Sequence, residues 1–413
     1  MAFRIGSSLG VFNFSQRIIA RLLERHANHP EVKSALNQGK QQVKIAALLH
    51  DVGHGPFSHA SEHVFDTGKQ HEAVSQRIIR STESGVNEVL SRFLGESKIK
   101  EVEGLLQGHE YPFLHDIVSS QLDADRMDYL LRDSHHSGTR YGQYDADWLI
   151  HSFCLGYQAN PGSDQRVTAL RLCLDEKRGP HAAEQLIMAR LHMSLQVYYH
   201  QNTRNLEAHL KCLLIEAARL SAESGLPALT HPSVREFLEK RGNVGHATFL
   251  QLDDTTLWAH FSYWSGCKGD ASFQELARWC DALLFRKKIL KSVTLEATWT
   301  DAATVTLLKE AFREKAGEEN RDWLIDAGKI TPYKAPLVAK QSDDPEGYYE
   351  DISESAILLS NGRLSESSMP LQHSSEILAA LGRHSTPVVR VYFKETVAEA
   401  VQDIIDRYSG NVK

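Results

Sequence analysis

The stretch Ala47-Leu48-Leu49-His50-Asp51-Val52-Gly53-His54-Gly55-Pro56-Phe57-Ser58-His59 decides how this chain is read. An apolar helical run ends in an adjacent His-Asp pair, and a glycine- and proline-containing break with two more histidines follows. Imidazole nitrogen and carboxylate oxygen together suit a hard or borderline divalent metal such as Mn, Fe, Zn or Mg. At a helix end, beside backbone that turns sharply, such side chains point into a cleft rather than into a core. A lone His-Asp pair is more often a helix C-cap with a surface carboxylate, and His115-Asp116 is read that way. Around His50 the density differs: five histidines fall between His50 and His71 (His50, His54, His59, His63, His71). That concentration points to a metal or phosphate site.

Composition narrows the class. A chain of 413 residues can bury a large core and implies ~2 to 3 domains. Hydrophobic content of 42% and charged content of 24% fit a globular protein in water. No apolar run approaches the ~20 residues that a membrane span needs, and the N-terminus lacks the pattern of a signal peptide. A net charge of −7 gives no support to a broad nucleic-acid-binding surface. Cys154, Cys173, Cys212, Cys267 and Cys280 are scattered, with no Cys-x-x-Cys, as expected of reduced thiols in the cytoplasm.

The first half reads as successive helices. Residues 12–25 place Ile18, Ile19, Leu22 and Leu23 on one face, and 41–49 leads into the His-Asp pair. Helical pieces are expected at 72–79, 89–93 and 102–106, a longer helix at 117–132, and the longest periodic stretch at 182–216. Residues 166–174 alternate as a half-buried strand does. Beyond residue 229 the texture changes. Residues 252–254 and 271–285 still read as helical, 292–299, 348–353 and 388–393 as short strands, and 340–347 as an exposed loop. The expected organisation is mainly α: a helical catalytic domain over 1–229, then a smaller α+β domain over 230–413 for regulation or assembly.

A second chemical cluster lies at Leu122-Asp123-Ala124-Asp125-Arg126-Met127-Asp128-Tyr129-Leu130-Leu131-Arg132-Asp133. On a helix, Asp125, Asp128 and Tyr129 share a face, while Met127, Leu130 and Leu131 mark the helix as packed. An acidic face on a packed helix calls for a cation or a partner to offset desolvation. Asp125 is therefore a candidate distal ligand for a metal site begun by His50 and Asp51. Arg126 and Arg190 are candidate phosphate clamps, because guanidinium grips oxyanions bidentately.

These two clusters, with Arg4, Ser8-Leu9-Gly10-Val11, His71-Glu72 and the helix holding Arg190, Tyr198, Tyr199 and His200, resemble the HD-domain superfamily. Within it the similarity is to the deoxynucleoside triphosphate triphosphohydrolases, dGTPase-like enzymes that release deoxynucleoside and inorganic triphosphate. The resemblance implies an HD-domain helical core and one divalent metal ion (Mn, Mg, Fe or Zn) held by His50, Asp51 and Asp125. It further implies His54 as proton donor or relay at the α-phosphate. His59 and His71 would line the phosphate path, with Glu62 orienting one of them. Arg4, Arg126 and Arg190 would hold the triphosphate, Tyr129 would lie under the sugar, Asp133 near the 3′-hydroxyl, and Tyr198 near sugar or base. A cytoplasmic homo-oligomer acting on deoxynucleoside triphosphates is the implied setting.

One position departs from that pattern. The segment Arg4-Ile5-Gly6-Ser7-Ser8-Leu9-Gly10-Val11 places Ser7 where the family carries its first metal-binding histidine, and a hydroxyl is a poor ligand for these metals. A chain shortened or altered at its N-terminus, a degenerate enzyme, and a site completed by water or another histidine each account for this. The first is the favoured expectation. The alternatives to a dNTP hydrolase are a catalytically weak nucleotide-binding or regulatory protein, and a hydrolase of another nucleotide or phosphate ester.

Overall fold

Val11, Phe14, Ile18 and Leu22 recur at helical spacing and are all buried, so the first helix, α1 (Ala2–Arg25), buries a continuous apolar stripe. The computed structural model describes residues 2–64, 70–108, 111–158, 169–295, 302–331, 333, 356–364, 368–383 and 385–410. Proline at the first position opens α2 (Pro30–Leu49), which packs along α1 and ends at His50. There follow α3 (His59–Val64), α4 (Gln70–Arg80), α5 (Gly85–Phe93), α6 (Glu96–Gln107), α7 (Pro112–Val118), α8 (Ala124–His136) and α9 (Ala146–Ser152). Two strands, β1 (Phe153–Gln158) and β2 (Ala169–Asp175), pair antiparallel from Phe153↔Leu174 to Gln158↔Ala169. Next come α10 (Gly179–Met193) and α11 (Gln201–Glu223).

The remaining chain supplies α12 (Pro232–Glu239), α13 (His246–Phe249), α14 (Asp254–Ser265), α15 (Gln274–Leu284), β3 (Leu290–Leu295), α16 (Ala302–Lys315), β4 (Trp323–Ile330), β5 (Leu358–Ser360), β6 (Met369–Pro370), α17 (Glu376–Arg383), β7 (Thr386–Lys394) and α18 (Ala398–Gly410). The sheets have strand orders β1-β2-β5-β6 and β3-β7-β4, the second wholly antiparallel. The fold is thus mainly α, with the strands of the later chain forming the smaller part. Among the described residues no helix is long and apolar enough to cross a membrane.

Three cores organise the chain. The first gathers α1, α2, α7, α8, α10 and the β1–β2 pair, and it also takes in Ile357, Leu359, Leu371 and Leu378. The second joins α11 to α12, α14 and α15, and the third lies between the β3-β7-β4 sheet and α16 with α18. Residue 229, the expected boundary, is therefore crossed by two of the cores. β5 from the far side pairs parallel to β2.

Several expected elements are redrawn. The helix expected at 117–132 is two helices, because Asp123 caps α8: its carboxylate accepts the Arg126 amide at 2.7 Å and the Ser120 amide at 2.8 Å. The long 182–216 stretch breaks after Met193 into a π turn, Ser194–Tyr198, and His200 then caps α11 in extended backbone. Asp253 is not helical but the cap of α14. The strand expected at 292–299 is β3, with 296–299 outside the described residues, as are 340–347 and 348–353. Asp116 is no surface carboxylate: it is 3% exposed and holds Arg171 through two hydrogen bonds.

His26 ties α1 to β1. Its Nε2 accepts the Leu155 amide at 2.9 Å, which requires a neutral ring acceptor. Burial, then the nearby His29, Arg25 and Arg21, lower its pKa to about 4. Between pH ~6.5 and ~4 the unfolded chain binds a proton that the native chain refuses, so stability falls with acidification. The loss expected from this one group reaches about 3 kcal/mol. Urea midpoints at pH 7 and 4.5 check it: His26→Gln should flatten the slope, and equal slopes would reject it.

Candidate metal centre

The site begins where α2 runs out of hydrogen bonds. His50 is its C-cap residue, and Nδ1 lies 2.9 Å from the Ala47 carbonyl oxygen. A carbonyl can only accept, so Nδ1 carries a proton and Nε2 is the nitrogen left to take up a second proton or a metal ion. That Nε2 is buried without a hydrogen-bond partner. It faces Asp51 Oδ2 at 3.3 Å and Asp125 Oδ1, from the first turn of α8, at 3.4 Å. These are the spacings expected of neighbouring ligand atoms with bonds of about 2.1 Å.

Electrostatics describe the same arrangement. Burial draws the His50 pKa down, but the facing Asp125 and Asp51 carboxylates outweigh it and hold the imidazole well above its usual value. Burial lifts the Asp51 carboxyl, and His50 with His54 overcome this and hold it below the ordinary range. An imidazole between two carboxylates thus calls for a positive charge, which a proton or a dication supplies. The donors, one imidazole nitrogen and two carboxylates, suit a borderline or hard divalent ion. Among the described residues no three His, Cys, Asp or Glu side chains form a ready-made metal cage. His50, Asp51 and Asp125 are the residues that could hold an ion, in a site open on one side.

Ser7, where the resemblance led one to expect a histidine, is engaged elsewhere. Arg132 Nη2 donates to Ser7 Oγ at 2.9 Å and also pairs with Asp128 at 2.7 Å. A Cβ on Gly10 would strike the Asp128 carboxylate, so α1 and α8 meet closely here. Asp128, on the same helix as Asp125, therefore serves this helix contact.

The loop after the His-Asp pair is fixed on two sides. Gly53 donates its amide to Ser75 Oγ of α4 at 2.9 Å, and a Cβ there would collide with the backbone of His71 and Ser75. His54 is buried, its Nε2 3.5 Å from Asp51 Oδ1, and its ring stacks on His71 at 4.2 Å between centroids and 21° between planes. On the other side, Phe57 and Ser58 both adopt left-handed backbone, with φ of 58° and 49°. Phe57 donates its amide to Asp254 Oδ1 of α14 at 2.7 Å. Its ring lies parallel to Phe261 at 5.9 Å and meets the edge of Trp258 at 5.6 Å.

A cavity of about 720 Å³ opens beside these groups. His50, Asp51, His54, His71, Asp125 and Arg126 line it, together with Glu72, Gln76, His115 and Ser119. Arg126 is held by Asp123 and the Ser120 carbonyl. Burial lowers the Arg126 pKa, and the Asp123 charge more than restores it. Arg190 lies near both Arg126 and the Tyr129 hydroxyl, and burial followed by the Arg126 charge lowers its pKa. The π turn aims Tyr198 back at α8, where its hydroxyl donates to Asp133 at 2.9 Å and its ring lies 6.3 Å from Tyr129.

The structure thus brings together His50, Asp51, His54, His71, Asp125 and Arg126, with Tyr129, Asp133, Arg190 and Tyr198 as an adjoining group. Arg4 lies on α1, and His59 and Glu62 on α3; their side chains fall outside the described residues. Sequence reasoning missed His115, Gln76 and Asp123. Asp123 carried a readable signal, an aspartate directly before a helical run, whereas His115 was dismissed together with its neighbour.

The HD domain family matches residues 8–133. An uncharacterised protein of Bacillus subtilis, YwfO, is 28% identical over 80% of this chain and 69% of its own length. A deoxynucleoside triphosphate triphosphohydrolase SAMHD1 homolog of Dictyostelium discoideum is 34% identical over 33% of this chain and 27% of its own. The crystal structure of a phosphohydrolase from Bacteroides thetaiotaomicron has the same fold, with TM-score 0.65 and 22% identity over 94% of this chain and 87% of its own. Residues 8–133 thus match the HD domain family, and the chain shares its fold with the Bacteroides protein.

Proposed function

We propose that the chain is a metal-dependent phosphohydrolase that cleaves deoxynucleoside triphosphates, dGTP among them, to deoxynucleoside and triphosphate. The observation that carries this is the place of His50 Nε2, set by the Nδ1 contact with the Ala47 carbonyl and turned toward Asp51 and Asp125. His50, Asp51 and Asp125 would hold a divalent cation, whose charge would acidify water and polarise a phosphoryl oxygen. His54, stacked on His71, has the reach and the proton-transfer chemistry to protonate a leaving oxygen. Arg126 and Arg190, two half-buried guanidiniums close enough to repel, are matched by a polyanion lying between them. Asp133 and the Tyr129–Tyr198 pair offer a hydrogen-bond acceptor beside two aromatic rings, as a sugar requires. Five free thiols agree with a cytoplasmic setting, and assembly into a homo-oligomer belongs to the same reading.

One observation favours a second reading, a nucleotide-binding protein with little turnover: Ser7 offers no metal ligand and is bound to Arg132. Ser7→His separates the two. For a damaged enzyme, a restored ligand should raise Mn affinity and dNTP turnover about 10- to 100-fold. Calorimetric Mn titration with chromatography of the products over a nucleotide panel measures both. No gain in either supports the binding role, and release of other products from other nucleotides changes the substrate.

A further inference from the structure

The loop that carries His54 is bent against the preference of its own residues. Phe57 and Ser58 are neither glycine nor asparagine, yet both sit at positive φ, 58° and 49°. Consecutive left-handed residues of this kind persist only when their surroundings over-determine them, and such places collect at functional sites. Here the surroundings come from a helix nearly two hundred positions away in the chain.

We infer that Asp254 is a positioning residue, which with Trp258 and Phe261 clamps the loop and thereby sets the place of His54. The inference rests on the proposed reading of the His50 site. Asp254 stands in the first turn of α14, and its Oδ1 takes the Phe57 amide at 2.7 Å, a hydrogen bond made stronger by the carboxylate charge. The Phe57 ring is seated on Phe261 and against Trp258, so both backbone and side chain of one strained residue are held by the same helix. Gly55 lies close enough to α13 that a Cβ would touch Phe249 at 3.7 Å. Only Gly55 and Pro56 separate Phe57 from His54, and proline fixes one of the two. The Ser58 amide closes the turn on the Gly55 carbonyl at 3.1 Å, and α3 starts directly afterwards. His50 and Asp51, by contrast, are set by the end of α2, and Asp125 by α8. Releasing the clamp should therefore move His54 while leaving the three candidate ligands in place.

The test compares the full-length protein with Asp254→Ala and Asp254→Asn, whose amide oxygen can still accept from Phe57. Hydrogen exchange of the 55–61 amides, and carbethoxylation of His54, now 6% exposed, are read by mass spectrometry without added metal. Asp254→Ala should raise both about tenfold, with Asp254→Asn recovering most of the protection. In turnover of dNTPs with Mn, kcat should fall about tenfold for the alanine variant while KM and Mn affinity change less than about twofold. Unchanged exchange and labelling in Asp254→Ala overturn the clamp. A rise in both with unchanged kcat overturns its positioning role. If the wild-type protein neither binds Mn nor turns over any dNTP, the functional reading falls, and exchange and labelling alone still decide whether Asp254 places His54.

Discussion

Asp51→Ala should abolish metal-dependent hydrolysis, lowering dNTP turnover by on the order of 1,000-fold or more. The residue stands between two histidines, 3.3 Å from His50 Nε2 and 3.5 Å from His54 Nε2, so its removal strikes both the ion and the proton donor. No other side chain described at the site can replace it. Asp125 approaches His50 from a different helix, and Glu72 reaches the cavity from α4. Elemental analysis of the purified variant should show metal lost together with activity, since a single imidazole and one carboxylate hold a divalent ion weakly. The fold should survive: Asp51 is about one-third exposed and lies outside the apolar cores. An Asp51→Ala protein that keeps both its metal and its turnover would end the assignment. Loss of activity with full metal content would move Asp51 from ligand to the handling of protons.

How much of this was legible in the chain depends on the range of the interactions that decide each feature. The amphipathic stripe of α1 and the cap at His50 are local, and periodicity finds them. The likeness of positions 50–59 and 123–133 to known HD domains placed the candidate ligands, and the geometry brings those residues together. Breaks made without glycine or proline were hidden. Asp123 ends one helix and begins another by accepting two amides at once, and the π turn before Tyr199 leaves no compositional trace. Pairings across the chain were equally invisible. Nothing near Phe57 announces that Asp254 will hold its amide, and nothing near β2 announces β5 as its parallel neighbour. Burial was the third blind point, because the same dipeptide, His-Asp, lines a candidate metal centre at 50–51 and makes a structural tie through Asp116 at 115–116.

That structural tie carries the largest stability effect expected here. Asp116, on α7, accepts Arg171 Nε at 2.7 Å and Nη2 at 2.8 Å, and the Leu172 amide at 3.1 Å. Arg171 Nη1 is bound in turn to Gln158 at 2.8 Å, so these bonds tie α7 to β1 and β2. With Asp116 3% and Arg171 7% exposed, water cannot take over from a lost partner. Asp116→Ala should cost about 3–5 kcal/mol, because it leaves a buried guanidinium and an amide unmatched. Replacing both members, Asp116→Leu with Arg171→Met, removes the uncompensated charge and should recover most of that loss. Urea unfolding of the two single variants and the double variant measures the coupling directly. Additive losses would mean that the pair contributes no coupling beyond its separate contacts. The consequence reaches the site, since His115, Val118 and Ser119 on and after α7 line the same cavity as His50 and His71. A chain that keeps His50, Asp51 and Asp125 but loses this tie should therefore bind metal near normally when folded, yet hold nucleotide more weakly as the wall loosens.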